Sequence, residues 1–258
     1  MSLSANLGFL WTDLSLPDAI HAAADVGFDA VECHWPYAVP SREVAAALSE
    51  TGLPMLGLNT PRGNVDAGEN GLSALAGREV EARDAIDQAL HYADAIGAQA
   101  VHVMAGFAEG NEAQRTFEAN LRYACDKAES MGTTILIEPL NPNDAPGYFL
   151  KTTEQARDII ETIGSDALRL MFDCYHVGRT EGDVTTRLER LLPIIGHIQI
   201  ASVPDRGPPD EGELSYAKIF DKLIGLGWNR PVGAEYKPQQ PTPETLGWMS
   251  MKELRRHT

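Results

Sequence analysis

The chain has 258 residues, 43% of them apolar and 22% charged, enough to close a large hydrophobic core. A formal net charge of -16, with no local cluster of Lys and Arg, argues against nucleic acid as a partner. No apolar run approaches the roughly 20 residues that span a bilayer, so no membrane partner is expected either.

The opening Met-Ser-Leu-Ser-Ala-Asn carries neither the basic segment nor the apolar stretch of a secretion signal, which makes a cytoplasmic location the expectation. Cys33, Cys125 and Cys174 are odd in number and lack zinc-site spacing, so reduced thiols are expected.

Short apolar runs of strand length alternate with longer segments of helical spacing along the whole chain. The runs predict strands over residues 4–10, 30–35, 55–59, 100–105, 134–139, 169–175, 196–201 and 232–237. Helical patterns fall between them, for example over 16–26, 79–96, 111–131 and 154–163, closing near Gly27, Gly97, Gly132 and Gly164. Strict alternation of strand and helix implies parallel strands with helical crossovers. A dinucleotide-binding open sheet would show G-x-G-x-x-G after its first strand, whereas Leu10 is followed by Trp-Thr-Asp-Leu-Ser. The expected fold is therefore one α/β domain over 1–258, a closed eight-stranded (β/α)8 barrel without a nucleotide cofactor. Two connections are unusual. Residues 61–77 form a long, glycine-rich candidate lid, and residues 201–214 carry the prolines and glycines of an ordered loop. Surface variation is the plain alternative for both.

Side chains alternate across a strand, so parity predicts which of them face the barrel axis. Thr134, Leu136 and Glu138 share one face; so do Met171 and Asp173, then His197, Gln199 and Ala201, then Gly233, Glu235 and Lys237. Four consecutive strands thus each carry an inward oxygen-bearing side chain near the end, where such barrels place their chemistry. Each acid alone is as readily a helix cap or a surface ion pair. Three buried carboxylates together require a cation or protonation, and carboxylates with an amide but no thiolate suit Mg²⁺ or Mn²⁺. Glu138, Asp173, Gln199 and Glu235 are the candidate ligands.

Other polar residues close strands or follow them. His176 is the preferred substrate hydrogen-bonder, with His102 and Asn59 as further candidates, and Arg206 and Lys237 as cations for a substrate carboxylate. His34 is balanced between site and core, and His197 is expected as a buried structural histidine. Trp11, Trp35 and Tyr37 are read as packing before recognition. No helix face names an interface, which leaves a homo-oligomer open.

Several motifs carry a resemblance: Ser4-Ala-Asn-Leu, Ala67-Gly-Glu-Asn-Gly71, Gly77-Arg-Glu, Ile137-Glu-Pro-Leu-Asn141, Asp144-Ala-Pro-Gly147, Asp173-Cys-Tyr-His176, Gly196-His-Ile-Gln-Ile-Ala201 with Arg206-Gly, Gly212-Glu213 and Glu235-Tyr-Lys-Pro238. In this order and spacing the chain resembles the hydroxypyruvate isomerase group of the xylose-isomerase-like barrels. The resemblance implies that Glu138, Asp173, Gln199 and Glu235 ligate a metal. It also implies that Glu138 and Glu235 form the acid/base pair and that His176 and Arg206 meet a small hydroxy-oxo acid. The wider group usually has histidine where Gln199 stands, and its close relatives an aromatic residue where Val65 stands. Alternatives are a longer 2-oxo acid such as a 2-oxo-tetronate, a ketose 3-epimerase, a sugar-acid dehydratase, and a non-catalytic binding barrel.

Overall fold

The computed structural model describes residues 1–250. Eight parallel strands run β1 (Leu3–Asn6), β2 (Ala30–Glu32), β3 (Leu58–Asn59), β4 (Ala100–His102), β5 (Thr134–Ile137), β6 (Leu168–Asp173), β7 (Ile195–Ile200) and β8 (Val232–Ala234). Their order is β2-β1-β8-β7-β6-β5-β4-β3. The seam between the two outer strands of that order is closed by a parallel bridge from Val31 to Met55 and by bonds such as Cys33 N–H to Gly57 O (3.1 Å) and Asn59 N–H to His34 O (2.8 Å). The expected barrel is the observed one.

Around it lie α1 (Leu16–Asp25), α2 (Ser41–Thr51), α3 (Glu79–Ile96), α4 (Gly110–Met131), α5 (Thr153–Ile163), α6 (Cys174–Thr180), α7 (Val184–Leu191) and α8 (Tyr216–Gly225). Side chains set several starts: Ser15 Oγ accepts from Asp18 N–H before α1, and Thr152 Oγ1 from Gln155 N–H before α5. Helices α3, α4 and α5 each end on a left-handed glycine, at Gly97, Gly132 and Gly164. Among the described residues no helix is long and apolar enough to cross a membrane.

Two separate apolar clusters record the alternation of side chains. Ile135, Ile137, Leu170, Phe172, Ile198 and Ile200 belong to the large core shared with the helices. Ala100, Leu136 and Met171 form a small cluster of their own inside the barrel. The parity assigned to strands five and six is the parity observed.

Strand lengths differ from expectation in a consistent way. Residues 7–10 turn instead of extending β1, and the third strand shrinks to two residues with Met55 as an outlying bridge. The sixth strand stops at Asp173, and residues 174–180 are helical. Asp173 makes that break: its Oδ1 accepts from Tyr175 N–H at 2.8 Å and so caps α6. Apolar residues at a strand end are buried whether or not the chain stays extended, so hydrophobicity alone overruns the end.

Candidate active site

A cleft opens at the carboxyl ends of the strands. Of the predicted site residues, Asn59, His102, Glu138, His176, Arg206, Glu235 and Lys237 line it. His34 and Trp35 line it too, together with Phe9, Met104 and Asp144 from segments outside the expected set. Gln199 lines a deeper chamber inside the barrel, with Asn6, Glu32, Met171 and His197. Trp11 and Tyr37 line neither: Trp11 packs edge-on against Phe28, and the Tyr37 hydroxyl donates to Asn59 O.

Glu138, Asp173 and His176 are buried and bring one ligand-capable atom each within 4.8 Å of one another. Distance alone makes this trio a metal group, but hydrogen bonding changes the role of the histidine. His176 Nδ1 accepts from Asn141 N–H at 3.0 Å, so a neutral ring carries its proton on Nε2. Burial, with the Arg206 charge behind it, pulls His176 down to about 3, which keeps the ring neutral. Nε2–H then points as a donor toward Asp173 Oδ2 (3.6 Å) and Glu138 Oε1 (3.8 Å) and has no lone pair to offer a cation.

Glu235 stands apart from that trio. Its Oε1 meets Asn6 Nδ2 at 3.1 Å and His34 Nε2 at 2.8 Å, and its Oε2 accepts from Arg206 Nη2 at 2.5 Å. The same nitrogen lies 3.5 Å from Asp173 Oδ2, so the guanidinium bridges the acids of β6 and β8. Arg206 lies between the rings of Phe9 (4.8 Å) and Tyr175 (4.9 Å). Its φ of 55 lies in the left-handed region, unusual for a residue with a side chain. The loop that holds it is pinned by Arg206 N–H to Ser202 O, Lys237 N–H to Arg206 O and Glu213 N–H to Val203 O. That is the ordered loop expected over 201–214.

The two glutamates differ in proton affinity. Burial raises Glu138 well above the ordinary carboxylate range, and the negative charges of Glu235 and Asp173 push it the same way. Asp173 is raised to about 7 by burial, against the pull of Arg206. Burial would raise Glu235 as well, but Arg206 and His34 outweigh it and hold the group below its usual value.

Among the described residues, Glu138 Oε1 and Gln199 Oε1 are buried acceptors without a hydrogen-bond partner. Orphaned oxygens next to raised carboxylates fit a hard divalent cation; Glu138 and Asp173 are the oxygen donors found together, and Gln199 and Glu235 complete the ligand set expected from the sequence.

Glu32 was not singled out by the sequence reading. It is buried on β2 and bonded to His197 Nε2 at 2.6 Å and Gln199 Nε2 at 2.8 Å. Burial would raise its pKa, and His197 and Gln199 lower it instead. His197 is the buried structural histidine expected, with Glu32 as its partner. Parity was available to find Glu32, since Ala30, Glu32 and His34 alternate as the later strands do. Asn141 and Asp144 come from the turn after β5, where no periodicity marks them. The 61–77 segment reaches the cleft through Asn70, while Val65 stands half exposed outside it.

A family model described as xylose isomerase-like TIM barrel matches residues 20–252. The chain belongs to the xylose isomerase-like TIM barrel family, in the branch of the hydroxypyruvate and 2-oxo-tetronate isomerases. It is 42% identical over 250 residues to a 2-oxo-tetronate isomerase of Cupriavidus necator, covering 95% of this chain and 96% of that one. A Xenopus laevis protein named "Putative hydroxypyruvate isomerase" is 40% identical, covering 96% and 94%. A crystal structure from Brucella melitensis described as AP endonuclease, family 2, superposes with a TM-score of 0.93 at 37% identity, covering 97% and 98%. The chain is an enzyme of the isomerase class.

Proposed function

We propose that this chain interconverts a short 2-oxo acid with its 2-hydroxy-3-oxo isomer, hydroxypyruvate and tartronate semialdehyde being the pair that fits the reading of the residues. The carrying observation is the pair of buried glutamates, Glu138 and Glu235, that line one cleft and whose proton affinities are shifted in opposite directions. A hydrogen shift between adjacent carbons needs one group to take a proton and one to return it, and environments that split two carboxylates supply both.

In hydroxypyruvate, a base removes a proton from C3, an enediolate forms, and an acid protonates C2, while the hydroxyl proton passes from O3 to O2. One of Glu138 and Glu235 takes the proton from C3 and the other returns one to C2; without a cation, burial raises Glu138 while Arg206 holds Glu235 ionised, and a bound cation would draw Glu138 toward its ionised form as well. His176, clasped through Nδ1 by Asn141, keeps its Nε2–H facing Glu138 and Asp173, where it can donate to a substrate oxygen that lies between it and those acids. Lys237 reaches the cleft 5.7 Å from the Phe9 ring centre and is the cation for the substrate carboxylate, because Arg206 is committed to Glu235 and Asp173. His102 and Asn59, hydrogen-bonded to each other at 3.2 Å, wall the opposite side. Glu138, Asp173, Gln199 and Glu235 would hold Mg²⁺ or Mn²⁺, and such an ion would supply stabilisation of negative charge developing on the substrate oxygens. The balance closes without a redox cofactor.

A four-carbon 2-oxo-tetronate is the second reading, favoured by the relative of 42% identity. Scission of nucleic acid, suggested by the Brucella description, is opposed by the charge of -16. The test is a panel of three- and four-carbon hydroxy-oxo acids and ketoses, followed by proton NMR in D2O with and without Mn²⁺. Isomer formation with deuterium incorporation supports the proposal. Epimerisation, dehydration or no turnover across the panel defeats it.

A further inference from the structure

We infer that Glu32 is a positioning residue that decides which end of the Gln199 amide faces the ion site. The inference rests on the proposal that Gln199 gives an oxygen to a divalent cation. The two ends of an amide are alike in shape and opposite in polarity, so a glutamine works as a ligand only when its NH2 is held elsewhere. A carboxylate can only accept, and Glu32 Oε1 takes the hydrogen of Gln199 Nε2 at 2.8 Å. That contact leaves Gln199 Oε1 as the orphaned end. Gln199 pairs in register with Asp173 on the neighbouring strand, which sets it beside a residue of the proposed ion site.

Glu32 is itself fixed from three directions. His197 Nε2 contacts its other oxygen at 2.6 Å. Asn6 Nδ2 donates to Glu32 Oε1 (3.0 Å) and to Glu235 Oε1 (3.1 Å), and the Asn6 amide is oriented in turn by Gly8 N–H donating to its Oδ1 at 2.9 Å. Finally, a Cβ at position 233 would lie 2.5 Å from Glu32 Oε2, so Gly233 leaves the space that the carboxylate fills. Glu32 lines the inner chamber together with Gln199, and neither residue lines the cleft above.

The test is a Mn²⁺ titration of the full-length protein, read by the loss of free-ion electron paramagnetic resonance signal, with folding checked by circular dichroism. Glu32→Gln is expected to weaken Mn²⁺ binding about 10- to 100-fold, the usual effect of losing a partner that orients a ligand. In a Gln199→Ala background, where no amide remains to orient, the same substitution is expected to have little further effect. Equal losses in both backgrounds, or unchanged affinity in Glu32→Gln, would overturn the inference while leaving the metal reading intact. No Mn²⁺ binding by the unsubstituted protein removes the metal reading and this inference with it. If Glu32→Gln does not fold, the exchange Glu32→Gln with Gln199→Glu keeps one carboxylate and one amide in contact. It is expected to bind Mn²⁺ within about tenfold of the original, and a folded exchange protein that fails to bind overturns the inference.

Discussion

The two halves of the barrel end in different chemistry. Strands β5 to β8 bring Glu138, Asp173, Gln199 and Glu235, three of them acids, whereas β1 to β4 bring mostly neutral hydrogen-bonding groups: Asn6, His34, Asn59 and His102. Glu32 is the one buried acid of the first half, and it is matched by His197 from β7. Concentrating charge on one side gives a cation a defined seat, and the neutral side leaves room for a ligand whose own charge lies elsewhere. A symmetric ring of acids would offer no such direction.

The largest test of this asymmetry is removal of the cation. Chelated, demonstrably metal-free protein is expected to lose essentially all turnover and to regain it with Mg²⁺ or Mn²⁺; retained activity would make the acidic half a protonated cluster instead. Next, Glu138→Gln and Glu235→Gln are each expected to lower kcat about 10²- to 10⁴-fold with the fold intact by circular dichroism. On the neutral half, His102→Asn retains a polar side chain near Asn59 and is expected to cost only about tenfold in kcat/KM, equivalent to about 1.4 kcal/mol. An effect there as large as that of the glutamates would abolish the distinction between the halves.

The smallest effect is on stability against pH in the metal-free protein. Asp173 is raised to about 7 and Glu138 well above the ordinary range, so each favours the fold below the unfolded carboxylate value and loses that contribution as pH rises through its folded value. His102 and His176 act in the opposite sense, because burial lowers them to about 4 and about 3; their gain is complete once pH passes the unfolded value near 6.5. Between pH 7 and 8.5 the carboxylates therefore dominate. Melting temperature is expected to fall as pH rises above about 7, and saturating Mn²⁺ is expected to flatten the trend. A melting temperature that rises over this window without metal would contradict the raised acids.

Most of the architecture was legible in the sequence because two periodicities alternate along it. The 79–96 helix was bounded to the residue, with Gly97 stopping it. Parity along β5 and β6 separated Leu136 and Met171 from Ile135 and Phe172, and the same rule selected Glu138 and Asp173. The rule was not carried to β2, where it would have put Glu32 and His34 on the inner face. What no periodicity could supply was the tautomer of His176, since Asn141 comes from an irregular turn. The Arg206 bridge was equally hidden, because it depends on a backbone turn with φ of 55 and two aromatic rings distant in sequence.

The long connection after β3 is cinched at its base. Gly71 N–H donates to Arg62 O at 2.9 Å, and a side chain at Gly71 would run into Met104 O, so the backbone is clasped against the end of β4. Residues 63–70 are thereby a short insert whose two ends are tied together. Asn70 is the member of that insert that lines the cleft, so its place at the rim is fixed by a backbone clasp and not by the barrel strands.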